Sequence, residues 1–361
     1  MTGTDPNDND PRLSRRALLA GAAGLAGLAV AACAGPDRPR AAATGRPLAS
    51  PTTSSPASPS ASPAADPAAV KANELGVIPV MMYHRITPTV AGEFDMTPKD
   101  FRAQLQRLFH EGYRPVRTID LARGEMNVAA GYTPVVLTFD DGYADQFRMS
   151  GGQLDPECAV AIILDVAKEF PDCAPAGSFN INNDPFGLST ATARATGLRT
   201  LHELGFEIAN HTFGHDNLGR LDSAGVQRDF VQLQRLVREA VPEASVLTMA
   251  LPFGVEPANR ALASRGTWQG DDYTNEAVLL VGANPSTSPF SPTFAPAAIP
   301  RIRGTSWHGG TAAFTGTYWL DYLSRHRSRR YVSAGNPGHV TVPRALAGQV
   351  APRFRDRLVT Y

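Results

Sequence analysis

The sequence lacks an excess of charge of either sign, because its 361 residues contain 34 lysines and arginines and 34 aspartates and glutamates. A balanced chain gives no reason to expect nucleic acid or a strongly anionic partner, so we expect binding through shape and hydrogen bonds. Its apolar run at residues 17–32 is shorter than the roughly 20 residues that a spanning helix needs. Residues 34–72 contain almost no large apolar side chains and therefore cannot offset the entropy of ordering.

The first 33 residues have the features of a bacterial export signal. Arg15 and Arg16 precede the apolar run, and paired arginines indicate the Tat route. Small residues stand directly before Cys33, as in a bacterial lipobox, so we interpret Cys33 as a lipidated N-terminus. An ordinary cleaved signal with an incidental cysteine is the alternative. We expect an exported protein, lipid-anchored to the outer face of the cytoplasmic membrane or associated with the cell wall.

The rest of the chain divides into a spacer and one folded domain. Residues 34–75 are dominated by proline, alanine, serine and threonine, which predicts a disordered, extended linker. Residues 76–361 predict a single catalytic domain, because a chain that is 43% apolar and 19% charged can bury a full core. We expect this domain to be a monomer.

Two adjacent carboxylates follow the apolar run at residues 134–137. The run is short and rich in valine, so it predicts a buried strand, and Gly142 predicts the turn that ends it. Asp140 and Asp141 would then lie at the carboxyl end of a strand, where α/β barrels place their chemistry. Taken alone, an Asp-Asp-Gly sequence more often forms a structural turn than a catalytic site.

Two histidines four positions apart, His211 and His215, strengthen the interpretation. This spacing allows both imidazoles to bind one divalent metal ion, although it also occurs by chance. Together with Asp141 they would form a site of three protein ligands with a fourth position open, which is typical of catalytic rather than structural sites. Asp140 would then be free to act as a base.

Thr138–Gly142 followed by His211–His215 resembles the polysaccharide deacetylases of carbohydrate esterase family four, which are metal-dependent and have a distorted (β/α) barrel. The resemblance runs from about Ile78 to the C-terminus and includes a Met-Tyr-His first strand typical of a secreted bacterial branch. It implies that Asp140 is the catalytic base and that one divalent metal ion, expected to be zinc, is bound by three ligands: Asp141, His211 and His215. It also implies three substrate-binding residues: His84, Pro252 and Phe253, the last through its backbone N–H.

The chain departs from the family pattern at two points. Ala250 stands where the family has an arginine that steadies the catalytic base, and its absence would leave Asp140 with a less depressed pKa. The family's last motif, which contains a histidine, has no clean match. His308 is a weak candidate for the general acid, and His339 is a weaker one.

Three local features complete the predictions. The alternation of strand and helix patterns supports an α/β barrel. Thr97 and Asp222 have the features of helix N-caps, each before a helix with one apolar face. Cys158 and Cys173 remain in the expected exported domain, where we hypothesise that they form a disulfide.

These observations predict a hydrolase that removes N-acetyl groups from a polysaccharide containing N-acetylglucosamine at the cell envelope. Its partner would be the acetylated polysaccharide, with no nucleic acid, and it would touch the membrane only through the lipid anchor. One alternative is a carbohydrate-binding lipoprotein whose deacetylase site has decayed. A second is an esterase acting on O-acetyl glycans.

Overall fold

The computed structural model describes residues 65–308 and 315–361. The expected export signal, Cys33 and most of the spacer lie outside the described residues. The described residues belong to one compact unit, and their buried apolar side chains form its core. Across both described ranges, no helix combines the length and apolar character needed to cross a membrane.

Strands and helices alternate along most of the described chain. The helices are α1 (Pro67–Val70), α2 (Pro98–His110), α3 (Thr118–Arg123), α4 (Ala159–Ala167), α5 (Ala191–Glu203), α6 (Ser223–Ala240), α7 (Ala261–Ser264) and α8 (Gly316–Arg325). The strands are β1 (Val80–Tyr83), β2 (Arg85–Ile86), β3 (Asp95–Met96), β4 (Tyr113–Val116), β5 (Thr133–Phe139), β6 (Met149–Ser150), β7 (Gln153–Leu154), β8 (Ser178–Ile181), β9 (Glu207–Asn210), β10 (Thr248–Ala250), β11 (Arg265–Trp268), β12 (Asp271–Thr274), β13 (Ala277–Leu279), β14 (Ile302–Arg303), β15 (Val340–Val342) and β16 (Leu358–Thr360).

Eight strands form one sheet in the order β13-β10-β9-β8-β5-β1-β14, with β4 beside the amino-terminal half of β5. Every pair in this sheet is parallel. The carboxyl ends of the strands therefore meet at one edge, which we call the catalytic edge, and the amino ends meet at the opposite edge. The predicted α/β architecture, a distorted barrel in a single domain, is confirmed.

A short segment, residues 299–303, connects the two ends of this curled sheet. Ile299 bridges Leu279 in β13, and Ile302 pairs with Met81 in β1. The segment therefore contacts both sides of the opening, and Arg301 in its middle is fully buried. Because neighbouring residues of an extended segment point in opposite directions, Arg301 can point into the barrel while Ile302 packs in the apolar core.

An aromatic layer supports the catalytic edge from outside the barrel. Tyr83, Phe139 and Phe179 are in register on β1, β5 and β8. Phe139 stacks on Phe179 with ring centroids 4.6 Å apart, and Tyr83 stacks on Phe139 at 5.3 Å. Phe101 of α2 packs edge-on against Tyr83 and Phe139. This layer fixes the positions of the residues that follow these three aromatics.

The two predicted helix starts are confirmed. The Thr97 side chain accepts a hydrogen bond from the Asp100 N–H at the start of α2, and the Asp222 side chain accepts one from the Gly225 N–H at the start of α6. Each bond satisfies an N–H that has no partner inside the helix.

The boundary of the folded domain differs from the prediction of a linker over residues 34–75. Residues 65–75 are folded: α1 is capped by Asp66, Ala72 is fully buried and Glu74 is 2% exposed. The Glu74 carboxylate accepts hydrogen bonds from the N–H groups of Ala334 and Thr341. The amino-terminal segment is thus held by backbone groups far along the chain, which its local composition does not reveal.

The hypothesis of a Cys158–Cys173 disulfide is wrong, since both cysteines are free and buried. Cys158 is the N-cap residue of α4, and Cys173 follows the opposite end of that helix. A nine-residue helix is about 14 Å long, which is well beyond the span of a disulfide.

Candidate metal and catalytic site

The two aspartates leave β5 at the catalytic edge. Asp140 is directed inside the barrel, on the face opposite Phe139, and is 1% exposed. Asp141 then adopts a left-handed conformation with φ of 72°, and Gly142 continues the turn with φ of 65°. This reversal leaves the two carboxylates in different surroundings, one buried and one at the mouth of a cavity.

The two histidines follow β9 in a loop that is fixed by buried polar side chains. His211 comes directly after the strand, and its side chain is 3% exposed, whereas that of His215 is 30% exposed. The Asn210 side chain accepts a hydrogen bond from the Thr212 N–H at 2.8 Å, and the Asp229 side chain of α6 accepts one from the Gly214 N–H at 2.7 Å. These bonds hold the loop in place between the two imidazoles.

The predicted metal ligands converge. Asp141 Oδ1 lies 3.3 Å from His211 Nε2 and 3.0 Å from His215 Nε2, and the three donor atoms are all within 4.8 Å of one another. His211 Nδ1 lies 2.8 Å from the Ala250 carbonyl oxygen, so Nδ1–H donates to that carbonyl and Nε2 is left to bind a metal. One carboxylate and two imidazoles suit a divalent ion such as zinc, and these separations suit ligand bonds of about 2 Å. The three residues therefore fit the expected metal ion.

Arg301 supplies the guanidinium that the sequence lacks at Ala250. Its Nη1 and Nη2 donate to Asp140 Oδ1 and Oδ2, each at 2.7 Å, in a bidentate pair. Arg301 also donates to the Leu280 carbonyl and to Thr138 Oγ1, while Asn180 donates a further hydrogen bond to Asp140 Oδ1. Asp140 is thus fixed from several sides. Sequence reasoning missed Arg301, because its contact with Asp140 depends on how the barrel closes.

The charges of the site shift several pKa values. Burial raises the pKa of Asp140, but the positive charge of Arg301 opposes this effect, and the pKa is lowered to about 2. Burial also raises the pKa of Asp141. When no metal ion holds the two Nε2 atoms, hydrogen bonds from His211 and His215 outweigh burial and lower this pKa. Burial depresses the pKa of His211, yet Asp140 and Asp141 raise it overall. Two adjacent ionised carboxylates therefore favour a positive charge beside them, which a bound cation would provide.

A cavity of about 450 Å³ opens over these groups. Besides the two aspartates and two histidines it is lined by His84, Arg85, Phe94, Tyr143, Leu251, Phe253 and Val281. His84 Nε2 lies 3.8 Å from Asp140 Oδ2. Burial lowers the pKa of His84 more than the neighbouring acids raise it. Phe253 is 63% exposed, and its backbone N–H has no hydrogen-bond acceptor among the described residues.

Two of the residues considered in the sequence lie elsewhere. Pro252, expected to bind substrate, is buried and does not line the cavity, and its neighbour Leu251 does. His308 lines a separate cavity with Asp100 and Arg107, so it is not placed to act as the general acid of this site.

Backbone conformation sets the site apart from the rest of the described chain. Seven non-glycine residues there have a positive φ, and four of them belong to the site: Asp141, Thr212, His215 and Phe253. Such conformations cost roughly 1–3 kcal/mol each and are concentrated at functional sites. No sequence pattern shows this strain, because the four residue types differ.

Comparison with known proteins agrees with the geometry. Residues 128–266 match the family model described as polysaccharide deacetylase. A chitooligosaccharide deacetylase of Sinorhizobium fredii is 31% identical over 140 residues, which are 39% of this chain and 56% of that protein. One from Bradyrhizobium is 32% identical over 126 residues, which are 35% of this chain and 48% of that protein. The chain thus spans about half the length of these curated relatives.

Among solved structures, a polysaccharide deacetylase from Bacillus cereus matches with a TM-score of 0.50 at 15% identity. The match covers 68% of this chain and 69% of the Bacillus cereus chain. This likeness concerns the fold alone. The segment matched by the family model contains both aspartates and both histidines of the site. Residues 128–266, which carry these four side chains, are therefore similar to polysaccharide deacetylases.

Proposed function

We propose that the protein is a metal-dependent hydrolase that removes N-acetyl groups from a polysaccharide containing N-acetylglucosamine. The observation that carries this proposal is the arrangement of four side chains: Asp141, His211 and His215 converge, and Asp140 lies beside them, fixed by Arg301. The related chitooligosaccharide deacetylases support the choice of an acetylated amino sugar.

The three converging residues would hold the divalent ion through Asp141 Oδ1, His211 Nε2 and His215 Nε2. When bound, such an ion supplies Lewis-acid chemistry, polarising the acetamide carbonyl and making water more acidic.

Asp140 acts as the base in this proposal. The bidentate Arg301 fixes the plane of its carboxylate, so that Oδ2 lies on the side of His84 and the cavity. Oδ2 takes a proton from water while the water oxygen forms a bond to the acetamide carbon. The exposed Phe253 N–H donates to the carbonyl oxygen as negative charge develops on it. Because the pKa of Asp140 is about 2, the carboxylate is ionised at neutral pH and readily gives up the proton it has taken.

The second half of the reaction breaks the carbon–nitrogen bond. The proton on Asp140 passes to the departing nitrogen, and His84, 3.8 Å from Oδ2, is placed to relay it. The products are acetate and a glucosamine unit whose amine becomes protonated in water. In this proposal His84 takes the role for which the sequence had suggested His308.

The experiment compares the two aspartates. Asp141→Ala, His211→Ala and His215→Ala should lose bound metal and activity together. Asp140→Asn should keep its metal and lose activity by roughly 10²–10⁴-fold, as expected for a group in proton transfer. Metal content is measured beside acetate release from an acetylated chito-oligosaccharide. An active Asp140→Asn enzyme, or a wild-type protein that binds no metal and ignores chelators, would refute the mechanism.

The same assay distinguishes the alternatives from the sequence. An O-acetyl glycan esterase would release acetate from acetylated xylan but not from the chito-oligosaccharide, and a decayed site would release none from either. Arg301 provides the base with a guanidinium, which weakens the main reason for supposing a decayed site.

We also propose that lipid on Cys33 holds the mature protein at the outer face of the cytoplasmic membrane, as the small residues before this cysteine suggest. A Cys33→Ser protein should appear in the growth medium. If it remains membrane-bound like the wild type, the anchor is not at Cys33.

A further inference from the structure

Charge is unevenly distributed along this neutral chain. Residues 325–361 contain eight arginines and one acidic side chain, Asp356, whereas residues 65–324 contain 20 basic and 29 acidic side chains. The overall balance that argued against an anionic partner therefore hides a strongly basic segment. Such asymmetry favours contact with an anionic surface.

The arginines of this segment differ from the other basic residues in their lack of ion pairs. In residues 65–324, 13 of the 20 basic side chains form ion pairs, such as Arg107 with Asp321 and Arg123 with Glu276. None of the eight arginines in residues 325–361 forms an ion pair with another described residue. Six of them are exposed. Their charge is available to an external partner.

This basic segment begins at the edge of the sheet opposite the catalytic edge. Val77, which precedes β1, bridges Arg330, and Thr133 at the start of β5 donates to the Tyr331 carbonyl. Both contacts lie at the amino ends of parallel strands. The metal ligands and Asp140 lie at the carboxyl ends, so the two surfaces are on opposite sides of the domain.

A cavity of about 510 Å³ lies at this opposite edge. It is lined by the cations Lys71, Arg327 and Arg330 and by apolar side chains that include Val70 and Leu346. Glu111 also lines it, but its carboxylate is paired with Arg107. Arg325 and Arg329 stand two positions before and after Arg327 in the chain, and all three side chains are exposed. We call Lys71, Arg325, Arg327 and Arg329 the basic patch. A cationic rim with an apolar lining suits the phosphate of an anionic phospholipid and the less polar atoms beneath it.

The path of the chain agrees with a membrane as the occupant. Residues 70 and 71, at the start of the described chain, line this cavity. The segment that leads towards the predicted lipid on Cys33 therefore joins the domain on the same face as the basic patch. If a membrane lay against that face of the domain, the catalytic edge would point away from the membrane.

We propose that the basic patch docks on anionic phospholipid headgroups of a membrane and directs the catalytic edge away from that membrane. The proposal does not depend on the reaction at the metal site. It concerns a contact in addition to the lipid anchor, whereas the sequence predicted that the anchor is the only one.

Vesicle co-sedimentation tests this proposal with the chain from Pro59 onward, which contains the whole described core and lacks the predicted signal and Cys33. That chain has 28 basic and 30 acidic side chains, so its net charge alone would not attract it to anionic lipid. We expect it to bind vesicles that contain one third phosphatidylglycerol and not vesicles of phosphatidylcholine alone. Binding should disappear in high salt, which screens such contacts.

A matched pair of double variants identifies the surface. Arg325→Gln with Arg327→Gln should weaken binding about 25-fold, since each basic residue near an anionic surface contributes about fivefold. Arg220→Gln with Arg228→Gln changes the net charge equally at two exposed arginines elsewhere and should weaken binding less than about threefold. Thermal unfolding of all variants shows that they remain folded.

Three results would overturn the proposal. They are equal binding to the two kinds of vesicle, an equal loss in the two double variants, and binding to soluble polyphosphate without binding to phosphatidylglycerol vesicles. The last result would assign the patch to a soluble phosphate polymer instead.

Discussion

Arg301 and Asp140 form a buried ion pair in which each partner depends on the other. Both side chains are at most 2% exposed, and the guanidinium binds the carboxylate through two hydrogen bonds. Removing one partner of such a pair leaves an uncompensated buried charge, whereas removing both can be nearly neutral.

Arg301→Met should therefore lower the free energy of unfolding by about 3–5 kcal/mol. Adding Asp140→Asn should recover much of that loss, because the remaining amide carries no charge. Urea unfolding of the two single variants and the double variant measures the coupling. Additive losses in the double variant would show that the pair does not act as a unit.

Arg301→Lys is the more informative change for function. It keeps a positive charge but cannot form the planar bidentate pair, so Asp140 should lose its orientation. We expect metal content to be unchanged and kcat to fall at least tenfold. A lysine variant with wild-type kcat would show that charge alone is sufficient.

The sequence predicted the acid and histidine residues of the site because they occur in short motifs beside recognisable strands. It could not predict Arg301, which contacts Asp140 across 161 positions of the chain. A residue in the middle of a closing segment has no local pattern that assigns it to the barrel interior. The only sign in the sequence that another cation was needed is Ala250, which stands where the family has an arginine.

At the scale of elements, α6 positions the loop that carries the metal-binding histidines. The Asp229 side chain accepts a hydrogen bond from the Gly214 N–H, and the Asp229 carbonyl accepts one from the Phe213 N–H. Asp229 is 4% exposed, so water cannot easily replace it.

Asp229→Ala should weaken metal binding about 10–100-fold, as is typical of residues that orient metal ligands. Metal titration of the purified protein measures this effect. Asp222→Ala is the matched control, because it removes the N-cap of the same helix and should cost about 1 kcal/mol of stability without changing metal affinity. An equal loss of affinity in both variants would mean that helix stability, rather than the contact with Gly214, controls the site.

Elements with strong local signals were predicted well. Thr97 and Asp222 cap their helices because capping depends on residues only three positions apart. The cysteine pairing was wrong because the apolar run between the two residues forms α4, which holds them apart. Periodicity did not assign that run, since a helix buried on most sides lacks a polar face.

At the scale of the whole molecule, Glu74 joins the beginning of the domain to its end. Burial raises the pKa of Glu74 to about 7, and the N–H groups of Ala334 and Thr341 limit the increase. Below about pH 4.5 the carboxyl group is protonated in both the folded and the unfolded chain. Between pH 4.5 and 7 the unfolded chain releases this proton while the folded chain retains it, so rising pH favours unfolding.

Glu74 should therefore reduce the stability of the protein by up to about 3 kcal/mol as the pH rises from 4.5 to above 7. Glu74→Gln should remove this part of the pH dependence, whereas Glu239→Gln, at an exposed acid, should leave it in place. Urea unfolding at pH 4.5, 6 and 8 measures the difference. Parallel pH profiles for wild type and Glu74→Gln would contradict this role.

The segment at residues 299–303 also sets an order of events during synthesis. The metal ligands and Asp140 have all left the ribosome before Arg301 is made, so a nascent chain can contain the complete motif set while its base remains without a partner. Contacts between distant positions form late and slowly. The catalytic centre should consequently mature only when β14, the last strand of the eight-stranded sheet, docks on β1. A chain released before that strand would present the ligands of a hydrolase without its positioned base.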